Sequence, residues 1–370
     1  MKKVQVDLLG QGGQAKGIVA NQLFDGSKIN VGSLRPFIGT DGRAYTTIFK
    51  GGDPKNPSNY VTNAINTNAT LRRDEWKQLD EALIGVARER LGGIQDLVDK
   101  NLTLNLGNAM GTTVFEWHDV SDSQEAIVTM DAVTRGQGDR PDFQHNYMPL
   151  PIIHVDYEIN ARVLAASRNL GNPLDVTAAE SATRRILEKL EDMLFTNTTY
   201  SYGATDSRGR NTIYSYINHP DRNIVAFPPA TGNWASATAT AAGIVSDVFD
   251  LVQASIDNLH YGPWMLYIPT AYQTIIEADY NAVTPGTTIR ERIMKIDGIS
   301  GIKVIDHLTA DNVLLVQMTS NVVRLIRGLG IQAVQWDTEG KFITKYKILT
   351  IQVPQIRSDY NGKCGIVHLS

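Results

Sequence analysis

The sequence predicts an α+β chain in which one long amphipathic helix is flanked by extended segments that a single compact unit does not need. Three features carry this reading. Residues 173–197 hold the longest helical periodicity, residues 111–159 are β-rich around a polar tip, and residues 1–70 sustain neither period. The bulk composition is that of a folded protein, with 370 residues of which 42% are hydrophobic and 20% charged. A net charge of -4 lacks the basic excess of a nucleic-acid-binding chain. One cysteine, Cys364, excludes a disulfide framework and a multi-cysteine metal site. No apolar run reaches the roughly 18 residues of a membrane span. Met1-Lys2-Lys3-Val4 passes into Asp7 and glycines without the apolar stretch of a signal peptide.

Residues 1–70 contain ten of the 31 glycines and eight lysines and arginines against four aspartates, so this segment is net +4 and the remainder -8. Its large apolar residues, such as Leu23, Phe24, Ile29, Ile48 and Phe49, come singly or in pairs. Such a segment cannot fill a core of its own. It is expected to be an extended arm, ordered by lying on another surface such as a neighbouring subunit. Its basic residues, Lys16, Lys28, Arg35, Arg43, Lys50 and Lys55, are spaced out and not interleaved with aromatics. That pattern suits solubility or acids on a neighbour better than it suits non-specific contact with phosphates.

A helix is predicted over 71–91, with Thr70 as N-cap, Asp74 and Glu75 in the first turn, and Trp76, Leu79, Leu83 and Leu91 at helical spacing. Gly92-Gly93 would stop it. From Thr112 to Val120 the residues alternate, Glu125 to Met130 is β-rich, Thr134 to Pro141 is turn chemistry, and Pro151 to Ile159 returns as strand. In the long helix Asn172 caps, Pro173 takes the first position, and Leu174, Ala178, Ala182, Ile186, Leu190 and Leu194 form one i,i+4 row. Glu180, Arg184, Arg185, Glu188, Lys189, Glu191 and Asp192 are placed on its other, charged face. The rod would be about 36 Å long. Residues 198–240 are polar and aperiodic. An amphipathic helix at 243–259 follows, then a buried strand Trp264–Ile268 and helices at 270–280 and 288–296. Strands Lys303–Ile305, Val313–Gln317, Val322–Ile326 and Gln332–Trp336 come at close spacing, so 241–340 reads as a compact α+β unit. Lys341–Val353 and Gly365–Leu369 are the last strands.

Candidate chemistry is sparse. Gly10-Gln11-Gly12-Gly13-Gln14-Ala15 fits a dinucleotide-binding fingerprint, but Gly17 and Asp25-Gly26 break the helix that should follow, and Val4–Leu8 is not a continuously apolar strand. His118 neighbours Asp119, and alternation puts His154 and Asp156 on one strand face, yet two ligands do not make a zinc site. Cys364 follows Lys363, which would favour its thiolate slightly, but a lone inert thiol is the expected state. Asn197-Thr198-Thr199 is a glycosylation sequon without a secretion signal to give it meaning. No catalytic residue, cofactor site or metal site is assigned, and the chain is not expected to be an enzyme.

Three segments in order carry a family resemblance. Leu71-Arg72-Arg73-Asp74-Glu75-Trp76-Lys77-Gln78-Leu79-Asp80 is similar to the amino-terminal helix of encapsulin shell proteins. Met148-Pro149-Leu150-Pro151-Ile152-Ile153-His154-Val155-Asp156-Tyr157-Glu158-Ile159, with the long helix ending in Glu188–Phe195, resembles the E-loop return strand and spine helix of HK97-fold major capsid proteins of tailed bacteriophages. Ile217-Asn218-His219-Pro220, the 243–259 helix and Trp264–Pro269 resemble the passage into the axial domain of that fold. The resemblance covers 71–370. It implies an HK97-like capsid fold with an extended N-terminal arm (1–70), an N-terminal helix and linker (71–110), an E-loop β-hairpin (111–159), a peripheral domain with spine helix 173–197 (160–240), an axial domain (241–340), and peripheral return strands (341–370). It also implies self-assembly into pentamers and hexamers of an icosahedral shell around double-stranded phage DNA, located in the virion and assembled in the host cytoplasm, with portal, scaffolding and decoration proteins as further partners and no membrane. The arm at 1–70 departs from encapsulins, which begin near the first helix. That favours a virus capsid over the alternative, an encapsulin-like compartment around a cargo protein. A dinucleotide-dependent oxidoreductase, resting on Gly10–Ala15, is the remote alternative.

Overall fold

The computed structural model describes residues 35–49, 56–65, 71–90, 92–107, 110–123, 128, 130, 140–169, 176–203, 210–229, 232–280, 286–337 and 342–370. The Gly10–Ala15 motif, the proposed caps Thr70 and Asn172-Pro173, most of the 125–130 run and the polar turn before Arg140 lie outside them. Chain order is β1 (Phe37–Ile38), β2 (Ala44–Phe49), β3 (Tyr60–Ile65), α1 (Arg73–Arg90), α2 (Gly93–Asp99), β4 (Thr103–Asn105), β5 (Val114–Val120), β6 (Phe143–Pro149), β7 (Ile153–Asn160) and α3 (Ala161–Asn169). It continues with α4 (Thr177–Phe195), β8 (Tyr200–Ser201), β9 (Thr212–Ile213), β10 (Asn223–Val225), α5 (Ala241–Asp257), β11 (Trp264–Pro269), α6 (Gln273–Ile276), α7 (Ile289–Met294), β12 (Ile299–Ile305), β13 (Val313–Gln317), β14 (Val323–Asp337), β15 (Ile343–Ile356) and β16 (Ile366–Leu369).

Two sheets organise the molecule. One is four-stranded in the order β4-β14-β15-β7, with β4 and β14 parallel and the rest antiparallel. The helix α4 packs on it through Ala182, Ile186, Leu187, Leu190 and Leu194, and α1 adds Trp76, Leu79 and Leu83 to the same core. Trp76 meets Tyr346 edge-on at 6.1 Å, and Tyr346 stacks on Tyr157 at 5.3 Å. The other sheet is five-stranded in the order β10-β16-β13-β11-β12. A second core forms where α5 and α7 cover it, with Val248, Leu251, Ile293, Leu266, Ile268 and Leu315 at its centre. Helix α5 starts where sequence and geometry agree, because Thr240 Oγ1 accepts the Gly243 N–H at 3.1 Å.

Several elements differ from expectation. Residues 1–70 are predicted to hold no sustained strand, yet β1, β2 and β3 form a three-stranded antiparallel sheet. Its anchor is intramolecular: Trp76 Nε1 donates to the Pro36 carbonyl at 3.0 Å, Arg35 pairs with Asp80 at 2.6 Å, and the Arg35 guanidinium lies 4.6 Å over the Trp76 ring. Helix α1 ends at Arg90, just before Gly92-Gly93 as expected, and a further helix not foreseen in the sequence, α2, opens at Gly93. The return strand to β5 is β6, in register Val114↔Pro149 to Val120↔Phe143, whereas β7 pairs with β15. The 270–280 helix is one 3-10 turn at Thr270–Tyr272 followed by the short α6. The strands expected at Val322–Ile326 and Gln332–Trp336 are one strand, β14, which belongs to the four-stranded sheet and not to the 241–340 unit. Conversely β16, read as a return strand of the other unit, lies between β10 and β13 in the five-stranded sheet. The second exchange sets β16, apolar on both faces, against β13: Val313, Leu314 and Leu315 of β13 and Ile366, Val367 and Leu369 of β16 are almost wholly buried.

Candidate functional site: the hairpin, its groove and the polar junction

The β5/β6 hairpin is held to the rest of the chain by an apolar root and by polar contacts beyond it. Its root is apolar. Phe115 and Trp117 pack against a small core of Met148, Leu150, Ile326, Ile351 and Val353. Two arginines fix this root from the sides, Arg324 at 5.7 Å from the Phe115 ring and Arg210 at 5.7 Å from the Tyr147 ring, and Arg210 also donates to the His145 carbonyl at 2.8 Å. On the outer face His118 and His145 lie opposite each other with ring centroids 5.0 Å apart, and Glu116 approaches His145 Nε2 at 3.3 Å. Between β6, the 210–221 segment and the 354–362 turn runs a polar groove of about 660 Å³, with Asp119, Asp221 and Asp359 on its walls.

A second constellation lies where α4 meets α2 and the five-stranded sheet. Glu191 is buried, and its carboxylate accepts from the Gly93 N–H at 2.9 Å and the Ile94 N–H at 3.3 Å. Burial pushes its pKa up to about 7, against the pull of those two amides. Asp96, also buried, accepts from Tyr267 Oη at 2.9 Å and pairs with Lys303 Nζ at 2.5 Å. His307 Nδ1 meets Asp192 at 2.7 Å on the rim. These contacts tie α4 and α2 to β11 and β12. They complete hydrogen bonds of buried groups rather than aim a reactive atom at a cavity.

A third cluster joins β10 to β16. His219 and His368 are both buried, and burial lowers each pKa to about 4. Arg222 Nε donates to His368 Nδ1 at 3.3 Å, and His368 Nε2 donates to Asn312 Oδ1 at 2.6 Å, which fixes the neutral tautomer.

Most residues singled out in the sequence lie apart from one another. His154 and Asp156 do share a face, 3.5 Å apart and half-exposed, but Asp156 is also held by Lys347 of β15 at 3.3 Å. His118 and Asp119 point to opposite faces of the hairpin, Asp119 toward Arg357 at 3.3 Å and Asn146. Cys364 is buried and burial pushes its thiol up to about 12, so burial outweighs Lys363. Arg35 and Arg43, expected to serve solubility or a neighbour's acids, reach Asp80 and Asp41 of their own chain. Asn197 is exposed just after α4. Among the described residues no three His, Cys, Asp or Glu side chains are grouped to hold a metal ion. Glu191 is misplaced by the sequence reading, which puts it on the charged face of the helix. The signal was available: it stands four residues after Leu187 and three and four before Leu194 and Phe195, all fully buried.

The geometry has known counterparts. A virus-like particle protein from Pyrococcus furiosus superposes with a TM-score of 0.55 over 80% of this chain and 99% of that one, at 14% identity. The capsid of Myoviridae phage XM1 gives 0.54 over 75% and 91%, at 10% identity, and the capsid of a native GTA particle gives 0.51 over 75% and 90%, at 12% identity. In sequence, the type 1 encapsulin shell protein of Myxococcus xanthus is 25% identical over 245 residues, 66% of this chain and 71% of that protein. The fold is therefore HK97-like, as the sequence resemblance implies. Residues 63–369 match the model of DUF6260, described as a family of unknown function, and the chain belongs to that family.

Proposed function

We propose that the chain is a shell subunit that self-assembles through extended interfaces into a closed icosahedral particle of pentamers and hexamers. The observation that carries the reading is the HK97-like fold, in which the β5/β6 hairpin is the element that would overlie a neighbour. In this reading the hairpin is the E-loop, α4 is the spine helix, and the five-stranded sheet with α5 is the core of the axial domain. Function then resides in interface area rather than in a reactive centre, so the chain acts as a structural protein and not as an enzyme.

The finer reading is a phage major capsid protein whose shell encloses double-stranded DNA in the virion, with the first 62 residues, outside the family match, as an additional assembly element. The second reading is a compartment of the encapsulin type, favoured by the similarity to the Myxococcus xanthus shell protein. Electron microscopy of the purified protein tests the common part: closed particles are expected, and a persistently monomeric protein at high concentration rejects it. Particle contents separate the two readings, nuclease-protected DNA in one and a co-purifying protein in the other.

A further inference from the structure

We propose that the turn at 357–361 is a releasable latch that sets the angle of the β5/β6 hairpin and, through it, the size of the particle. The inference rests on the shell reading. It starts from how unevenly the hairpin is held. At its root the hairpin is fixed by apolar packing of Phe115 and Trp117. Beyond the root no such core forms among the described residues, and the polar groove runs along the hairpin's side. Among the described residues, three polar contacts from one short segment tie it there. Arg357 pairs with Asp119 at 3.3 Å, Tyr360 Oη donates to Asp142 Oδ2 at 2.8 Å, and Asn361 Nδ2 donates to Asp122 Oδ2 at 3.0 Å. Asp122 and Asp142 lie just beyond the ends of the two strands, which are themselves joined there by the Ser121 N–H to the Asp142 carbonyl and the Asp142 N–H to Ser121 Oγ, both at 2.9 Å. The turn therefore grips both strands at the outer end of the β5/β6 ladder.

The turn itself is built to stay in place. Asp359 Oδ1 accepts from the Asn361 N–H at 3.0 Å and the Lys363 N–H at 2.6 Å, Gly362 takes a φ of +76° that glycine adopts most freely, and Ser358 Oγ donates to Asp221 at 2.6 Å. Arg357 and Asp119 are largely enclosed and act as the pivot, whereas the Tyr360–Asp142 and Asn361–Asp122 contacts lie at the solvent edge and form a catch that opens at small cost, since each is exchanged for water. An apolar contact in the same place would not exchange so readily. The lever also carries something to aim: the cross-strand pair Val120 and Phe143 is exposed, 49% and 63%, beside the latch. The latch fixes the direction in which that pair meets a second copy. In a closed shell the angle between copies sets curvature, and curvature sets the number of copies.

The test uses the full chain with Asn361→Asp and Tyr360→Phe together, both at the solvent edge, which put like charges at Asp122 and remove the donor to Asp142. Amide exchange of the unassembled subunit is expected to quicken about tenfold in 114–122 and 142–149, with the five-stranded sheet unchanged. Assembled particles are expected to spread over more than one diameter in electron micrographs. Adding Asp122→Asn to Asn361→Asp reverses the donor and acceptor and is expected to restore exchange and diameter toward the parent, which a merely structural role for the turn would not produce. Unchanged hairpin exchange overturns the latch. Quickened exchange with the parental diameter overturns its control of particle size. A parent that forms no particles at all defeats the shell reading and the size control with it, while the exchange result still decides whether the turn holds the hairpin.

Discussion

Replacing Glu191 by glutamine should make the subunit gain stability, relative to the parent, as the pH is raised. In the folded chain the carboxyl has a pKa of about 7, raised by burial from an ordinary value of 4.5. The sign follows from linkage. Folding favours the uncharged acid, so its contribution is complete below the unfolded pKa and is lost as pH rises through the folded one. With those two values the parent loses about 2.5 kcal/mol between pH 5 and pH 8 through this group alone. Glutamine keeps an oxygen for the Gly93 and Ile94 amides and has no charge to bury. Any fixed cost of its NH₂ group is the same at both pH values and cancels in the comparison. Urea unfolding of the unassembled parent and Glu191→Gln at pH 5 and pH 8 gives the four free energies. The difference between the proteins should shift by about 2 to 3 kcal/mol toward the variant at pH 8. A difference that stays constant across that range would refute the assignment of a buried, ionising Glu191.

The other expectations concern single contacts. His219 acts in the opposite sense: its folded pKa is depressed to about 4, so its contribution is present above 6.5 and is lost as pH falls toward 4, with Asp221 opposing and Arg222 reinforcing the shift. His219→Gln should therefore flatten the acid limb of the stability curve followed by fluorescence, and an unchanged acid limb would exclude the histidine as its source. Gly298 has φ +85°, and a Cβ there would run into the Trp264 ring. Gly298→Ala should cost about 2 kcal/mol or more in denaturant midpoint, and a neutral result would mean that the β11–β12 corner can relax. Trp76→Phe removes the donor to Pro36 and weakens the platform under Arg35. It should cost about 1 to 2 kcal/mol and raise amide exchange in 37–49 above that of α4, whereas uniform exchange would mean that Trp76 is not the anchor.

What the sequence made legible was local. The spacing of Ala182, Ile186, Leu190 and Leu194 placed the buried face of α4, and all four are buried, although Ala179 rather than Ala178 completes the row. The alternation of Val114–Val120 located β5, and the apolar run at Trp264 located β11. Two kinds of feature escaped. Val322–Ile326 and Gln332–Trp336 read as two strands, but β14 continues through Gly328 and Gly330 by register shifts at Arg327/Leu329 and Leu329/Gln332, and Thr350 Oγ1 donates to the Leu329 carbonyl there at 2.9 Å. Partnerships across the chain escaped as well. Nothing in the neighbourhood of His368 announces Arg222, 146 residues earlier, because the two meet only when β10 lies parallel to β16. The buried polar groups were missed for the same reason: each is defined by a partner supplied by tertiary structure.

The exchange of strands between the two sheets bears on how such a chain could serve as a building block. From β13 the chain leaves the five-stranded sheet, crosses into β14 and β15, and returns as β16 to the interior of the sheet it left. The chain thus crosses between the sheets twice in succession, from β13 to β14 and from β15 to β16, and the Glu191 and Asp96 contacts close the junction from the helix side. Drawing β16 away with β15 would strip it of pairing to β10 and β13 and expose Ile366 and Val367, which have no accessible surface. Sheets joined in this way respond to load as one body. The hairpin is different: beyond its apolar root it is tied by polar contacts that water can replace. A subunit that must fit more than one neighbour geometry needs rigidity in its body and adjustment in its reach. The division between interlocked sheets and a polar-latched hairpin places the adjustment in the element that a neighbour would meet.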